Sequence, residues 1–463
     1  MTYRGKVATV YLLSLFLDLI NMFISAVAFP DMSVSLQAPV AHLAWVSNGY
    51  IIGLTLIMPL SAWLSRRFGP RRLFLLSLTL FSLATLATAE ANSLGELVTW
   101  RIVQGLGGGV LIPVGQALTW QFYQGKERTR ISTLVMMVAL LAPAVSPALG
   151  GLLVGYAGWH AVLLASLPVS LLTLCFAFCW LQEDERHSRQ SLPAPDTTEI
   201  LTSGGGLICL LLSLTLLSDK DHLLSGLLWL VPAIILILLF VRRNRHQANP
   251  LLALHLLSSP LLRFSMLVYL CTPGFFIGVS IIAIFWLQQV AGLSAAQNGA
   301  LMMAWSVAAF FAIHTSGKLF QRYGPAPLII TGCLIQAAGI LWLAGVSHGT
   351  SPLVLSLCYA LMGFGGSLCS STAQNSAMQE IDSPELADAS ALWNINRQLS
   401  FCFGVALLSL LLSLLLQTVS LLTAYRTCFI VAACVTCLPV LASRRLRFRP
   451  HPPVNNSLRE PKS

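Results

Sequence analysis

Apolar runs of 18 to 26 residues, bounded by charges, Gly or Pro, recur fourteen times along this chain. They fall near 7–29, 44–64, 73–90, 97–120, 131–156, 160–181, 200–217, 223–241, 264–287, 298–320, 326–345, 353–376, 391–416 and 424–442. Each is long enough to cross the ~30 Å hydrocarbon core of a bilayer as a helix. Only helices satisfy their own backbone through so many lipid-facing segments. The pattern therefore predicts an all-α polytopic membrane protein with fourteen transmembrane helices. Arg4 and Lys6 precede the first run, and Ala26-Val27-Ala28 resembles a signal-peptidase site. That run is long for a signal peptide, and Asp18 and Asn21 interrupt it, so a retained first span is expected.

Composition agrees with the pattern. Of 463 residues, 56% are hydrophobic and 10% charged, against about 25% charged in soluble domains. A soluble enzyme and a disordered chain are both excluded. The net charge of +10 would suggest nucleic acid in a soluble protein; here its distribution matters more. With the N-terminus placed in the cytoplasm and the spans alternating, 23 of the 27 Lys and Arg residues fall on the cytoplasmic side. The positive-inside rule then supports cytoplasmic N- and C-termini and an even number of spans. All 11 cysteines lie in apolar stretches. The Cys434-x-x-Cys437 pair has no second pair or nearby His, so it reads as buried thiols in a span, with no metal site.

Two internal repeats divide the chain. Ala62-Trp-Leu-Ser-Arg66-Arg67-Phe-Gly69-Pro70 recurs as Gly317-Lys-Leu-Phe-Gln-Arg322-Tyr-Gly324-Pro325, at an offset of 255. Gly105-Leu-Gly107-Gly108 recurs as Gly363-Phe-Gly365-Gly366, at 258. Repeats at nearly one offset imply two homologous halves. The expected organisation is a six-helix bundle (1–181), a polar linker (182–199), two inserted spans (200–245), a second six-helix bundle (246–442) and a basic tail (443–463). Duplicated six-span halves suit a transporter whose pathway runs between them.

The loop Arg66, Arg67, Gly69, Arg71, Arg72 and its second copy, with Gly317, Arg322 and Gly324, form a candidate conformational switch: cations in a tight turn can contact the negative ends of helices. Four ionisable groups fall within spans: Asp18, Arg101, His314 and Arg397. Intramembrane charges are expensive and mark functional sites. Asp18, near the middle of the first span, is the candidate proton carrier, with Arg101 tuning it. His314 near the end of span 10 reads as a packing histidine. Arg397, about two turns into span 13, reads as a contact to carbonyls or loop acids. Asn21, Gln104, Gln116, Gln374 and Asn375 are candidate lining for a mostly apolar substrate cavity.

The chain resembles the major facilitator superfamily, specifically its 14-span drug:proton antiporters. The signature loop G-x-L-x-D-R-x-G-R-R is matched at Leu64, Arg67, Gly69, Arg71 and Arg72, with Ala62 for the Gly and Arg66 for the Asp. Arg101-x-x-Gln104-Gly105 is similar to the family's R-x-x-Q-G. Ala142-x-x-x-Ser146-Pro147-x-x-Gly150-Gly151 is similar to the antiporter motif G-x-x-x-G-P-x-x-G-G, whose kink in the family is thought to control proton leak and the direction of exchange. The family's first span reads L-D-x-T-x-V-N-x-A-L-P. Aligned on Ala28-Phe29-Pro30, its Asp falls on Asn21, so Asp18 sits one turn earlier on nearly the same stripe. The resemblance implies a major facilitator fold of two six-helix bundles plus two inserted helices. It implies proton-coupled efflux of amphipathic compounds by alternating access in a bacterial cytoplasmic membrane, driven by the proton gradient with no cofactor. The expected partners are a small-molecule substrate and the bilayer, not nucleic acid, with a monomer as working unit. The alternative is export of an anionic metabolite or siderophore-like chelate, attracted by Arg101 and Arg397. No G-x-x-x-x-G-K-[ST] occurs and no catalytic set rises above chance, so neither an ATP-driven pump nor an enzyme is expected.

Overall fold

A computed structural model of the chain describes residues 2–38, 40–123, 125–182, 196–217, 222–247, 250–289, 295–347 and 350–443. Most of the expected linker and nearly all of the basic tail lie outside these residues. Among the described residues the secondary structure is helical throughout: α1 (Tyr3–Ile24), α2 (Phe29–Ser35), α3 (Val40–Phe68), α4 (Pro70–Ala89), α5 (Leu94–Phe122), α6 (Gly125–Leu164), α7 (Leu167–Trp180), α8 (Thr197–Leu217), α9 (Leu223–Asn244), α10 (Pro260–Tyr269), α11 (Phe275–Gln289), α12 (Ala295–Tyr323), α13 (Pro325–Ala344), α14 (Pro352–Ala377), α15 (Leu386–Leu415) and α16 (Leu421–Ser443). A 3-10 turn, Ser25–Ala28, ends α1, and a π-turn, Leu270–Gly274 with Pro273 inside it, joins α10 to α11.

Several helices outrun the apolar runs that announce them, because polar residues at their ends continue the helical hydrogen bonding beyond the hydrocarbon. α15 begins at Leu386, five residues before the expected run, so Arg397 lies about three turns in rather than two. Twelve described helical stretches are long and apolar enough to cross a membrane, against the fourteen expected. The difference has two sources. α12, 29 residues long, is not among the twelve, and the tail of α6 and all of α7 form one stretch, Leu149–Trp180. Within α6, Gly158 breaks the helix with φ 75° and ψ −179°.

The repeat is visible in the elements. α12 and α13 reproduce the lengths of α3 and α4 at the offset of 255. In each pair a glycine with positive φ, Gly69 at 82° and Gly324 at 74°, makes the turn, and a proline opens the next helix. Proline fits there because the first helical N–H has no partner in any case. α3 and α4 both pack on α5; α12 and α13 both pack on α14. Glycines make these crossings close: a Cβ on Gly53 would stand 2.1 Å from the Ile102 carbonyl oxygen, one on Gly105 2.2 Å from that of Tyr50, and one on Gly363 2.3 Å from that of Trp305. The later helices close the same way where the π-turn meets α15: a Cβ on Gly404 would lie 2.0 Å from the Gly274 oxygen.

The helices before and after the α8–α9 pair meet along two seams, one where α15 packs on α3 and α5 and one where α6 packs on α12 and α14. α8 packs on α9, α3 and α15, whereas α9 exposes most of its apolar length. Of the Cys434–Cys437 pair expected to be buried, Cys434 is exposed and Cys437 half-buried; Cys175 and Cys179 are exposed as well, as an apolar residue on a membrane helix is where its face meets lipid. No group of three or more His, Cys, Asp or Glu able to hold a metal occurs among the described residues.

Candidate functional site

α1, α3, α4 and α5 bring one polar cluster together inside an apolar surround. Asp18, on α1, is 2% exposed and accepts a hydrogen bond from the Tyr50 hydroxyl of α3. Arg101, on α5, is 1% exposed and makes four hydrogen bonds. Its Nε donates to the Val46 carbonyl at 2.9 Å. Nη1 donates to Asn21 Oδ1 at 3.0 Å and Gln104 Oε1 at 2.8 Å, and Nη2 to the Asn21 carbonyl at 3.2 Å. Its guanidinium carbon lies 4.8 Å from the centre of the Tyr50 ring. Gln104 in turn donates to Thr85 Oγ1 of α4 at 2.7 Å. A buried arginine needs such a set of acceptors, because an unmatched guanidinium in low dielectric is strongly unfavourable.

Four sequence-derived candidates, Asp18, Asn21, Arg101 and Gln104, thus share one network. The displacement of the acid is explained locally: Asn21 serves Arg101, while Asp18, one turn earlier, meets Tyr50. No Asp18–Arg101 ion pair forms among the described residues; Tyr50 stands between them. Gly108 leaves room for this, since a Cβ there would lie 2.7 Å from the Tyr50 hydroxyl oxygen and 3.4 Å from Asp18 Oδ1.

The other candidates are spread further. Gln116 accepts from Asn394 of α15 at 2.9 Å, a link across the two groups of helices. Gln374 and Asn375 are buried near the end of α14, and both polar side-chain atoms of Asn375 lack a partner. Arg397 is half-buried and makes no hydrogen bond or ion pair among the described residues, yet its charge reaches Asp18 and Tyr11 of α1 and Tyr269 of α10. Tyr269 packs on Trp393 and Phe401, one turn either side of Arg397. His314 is exposed on the outside of α12, its ring stacked on Phe310; it joins no cluster.

In the antiporter motif, Ala142 and Ser146 are buried, and Ser146 donates back to the Ala142 carbonyl at 2.6 Å. Gly150 packs on Ile24 and Val27, whereas Gly151 faces open space. Pro147 lies on the same helix.

At the switch loop, Arg66 pairs with Asp388 at the start of α15, 322 residues away and on the other side of the seam. Arg71 donates to the Phe178 carbonyl at 3.0 Å and lies over the Phe178 ring. Arg67 and Arg72 are exposed, and Arg322, in the second copy, lies over its neighbour Tyr323. Two residues here escaped sequence reasoning. Asp388 carries no assignment from the sequence, although Arg66 in the place of the family's Asp is a signal that a compensating acid should exist. Arg128 counts in the sequence only as one of the 23 cytoplasmic-side cations, yet it binds the Trp120 and Tyr123 carbonyls at the end of α5 and the Met378 carbonyl at the end of α14, at 3.2, 3.1 and 2.7 Å. It joins the negative ends of two repeat-related helices.

Known proteins carry the same architecture. The model of the Major Facilitator Superfamily matches residues 11–405. A multidrug resistance protein B homolog of Mycobacterium tuberculosis is 30% identical over 380 residues, covering 81% of this chain and 69% of that protein. The multidrug transporter protein MdtP of Bacillus subtilis is 25% identical over 411 residues, 88% of this chain and 74% of that protein. Among solved structures, the human organic anion transporter MFSD10 superposes with a TM-score of 0.70 at 16% identity, covering 96% of this chain and 100% of that one. The proton:xylose symporter XylE gives 0.66 at 14%, covering 96% and 95%. These two share the fold. A multi-pass membrane protein, homologous to multidrug efflux proteins and not an enzyme, this chain belongs to the major facilitator superfamily.

Proposed function

We propose that the protein is a proton-coupled exporter of small amphipathic compounds. It works by alternating access between bundles 1–181 and 246–442, as a single copy in a bacterial cytoplasmic membrane, with both termini in the cytoplasm. The proton gradient is the energy source. The observation that carries the reading is Asp18: a buried acid midway along α1, partnered by a hydroxyl rather than a cation, and within electrostatic reach of Arg397 from the opposite bundle. An acid so placed is a site for a proton, and proton and substrate excluding one another there would give exchange. The relatives named above supply the substrate class.

The test is efflux of cationic and neutral dyes from a host lacking its own pumps. Wild type should export them under a proton gradient and lose export on its collapse. Asp18→Asn should reduce gradient-driven export at least tenfold; export unaffected by Asp18→Asn would remove the carrier role.

One observation favours a second reading. Arg101 is committed to its acceptors, so the anion-export alternative now rests on Arg397 alone, the cation of this region that has no partner among the described residues. In that case secretion of an organic anion, lost in Arg397→Gln and retained in Arg397→Lys, would accompany the absence of dye export.

A further inference from the structure

Tyr50 is fully buried, and it touches the two charged groups of the site in two different ways. Its hydroxyl donates to the Asp18 carboxylate, and its ring face carries the Arg101 guanidinium at 4.8 Å. The N–H groups of Arg101 point elsewhere, to Val46, Asn21 and Gln104. The phenol sits in a slot that Gly108 keeps open. We propose that Tyr50 is a positioning residue that couples the protonation of Asp18 to the clamp Arg101 makes between α1, α3 and α5.

The physical route is short. A hydroxyl donating to an ionised carboxylate makes a strong, charge-assisted hydrogen bond. That bond favours the charged form of the acid, and it draws negative charge toward the ring that faces Arg101, strengthening the cation–π contact. When Asp18 takes a proton, the same hydroxyl faces a neutral acid, the bond weakens, and the ring holds the guanidinium less. Arg101 is anchored on the Asn21 carbonyl, one turn before the 3-10 turn Ser25–Ala28 that ends α1. A proton on Asp18 is thereby felt at the far end of α1, against which Gly150 of the antiporter motif packs.

The groups facing this pair are few. α3 brings Tyr50, α5 brings Arg101 and Gln104, and α4 brings Thr85. From the opposite side α15 brings Arg397. Among the elements packed on α1, α6 carries Lys126, Glu127, Arg128 and Arg130 only in its first turns, with Tyr156 and His160 exposed at its other end. α7 carries only the exposed Cys175 and Cys179.

The inference rests on Asp18 as the site of the proton, and its test reads the carboxyl group itself. The full-length protein in lipid nanodiscs is titrated by infrared difference spectroscopy, following the protonated-carboxyl band that Asp18→Asn abolishes. Tyr50→Phe deletes the hydroxyl and keeps the ring over Arg101. The band's midpoint should move to higher pH by about one unit, a tenfold gain in proton affinity. Gly108→Ala, which crowds the hydroxyl without removing it, should move the midpoint the same way. In an Asp18→Asn background, Tyr50→Phe should leave the pH profile of dye transport unchanged, because the group it acts through is gone. A band that does not titrate, or a midpoint unmoved in both variants, overturns the proposal. A shifted midpoint with gradient-driven export unaffected by Asp18→Asn keeps the Tyr50 link and removes the carrier role, so the two readings fail separately.

Discussion

Arg101 illustrates how one side chain can organise a membrane site. Four acceptors from three residues converge on its guanidinium, and an aromatic face covers it. Lysine offers a point charge without the planar fork. Arg101→Lys should therefore insert and fold but lose transport at least tenfold, read by dye efflux at matched expression. Arg101→Ala leaves buried carbonyls and amides unpaired and should destabilise by about 3–5 kcal/mol, seen as loss of the monodisperse peak in detergent. A full-activity Arg101→Lys protein would show that only the charge matters. At this scale the sequence told which residues were unusual: an acid, an arginine and two amides in apolar runs. It did not tell which aromatic residue joined them. Tyrosines are common near span ends, and only the rotation of α3 against α5 turns Tyr50 inward.

Helix packing here is governed by where a side chain is absent. A Cβ on Gly105 or Gly404 would overlap a backbone oxygen, so Gly105→Ala or Gly404→Ala must push two helices apart. Each should cost about 1–3 kcal/mol, measured as a lower midpoint in thermal unfolding followed by size exclusion. Gly151→Ala is the control, because open space surrounds that position. Its stability should equal wild type, and a change in transport without one in stability would place its role in movement rather than packing. Gly69→Ala and Gly324→Ala meet a different obstacle, a positive φ with extended ψ that is close to glycine-only and costs an L-residue about 1–3 kcal/mol. The repeat at an offset of 255 was legible because both turns need the same rare backbone, which only glycine supplies cheaply. Helix ends were less legible. The hydropathy that marks a span stops at the headgroups, while the helices that carry Asp388 and Arg128, α15 and α6, continue past them.

For the whole molecule the informative contacts cross the seams at one end: Arg66 with Asp388, and Arg128 with the Met378 carbonyl. Reversing one charge of the first pair leaves Asp388 buried against a like charge or unpaired. Arg66→Asp should therefore favour the form in which this end is open, by tenfold in population for each ~1.4 kcal/mol lost. Labelling of cysteines introduced beside the seam reads the shift, and Arg66→Asp combined with Asp388→Arg should restore the wild-type pattern. No rescue by the double variant would show that the pair is not the latch. These partners lie 322 and 250 residues apart, beyond any periodicity in one chain. α8 adds a constraint of its own. It is wedged against α3, where Gly204 meets Leu56, and against α15, so the seam on that flank is bound like the spine of a book. Pages bound on one edge part most widely at the other. When the two groups of helices move, the packing of α6 on α12 should therefore part more widely than that of α3 on α15.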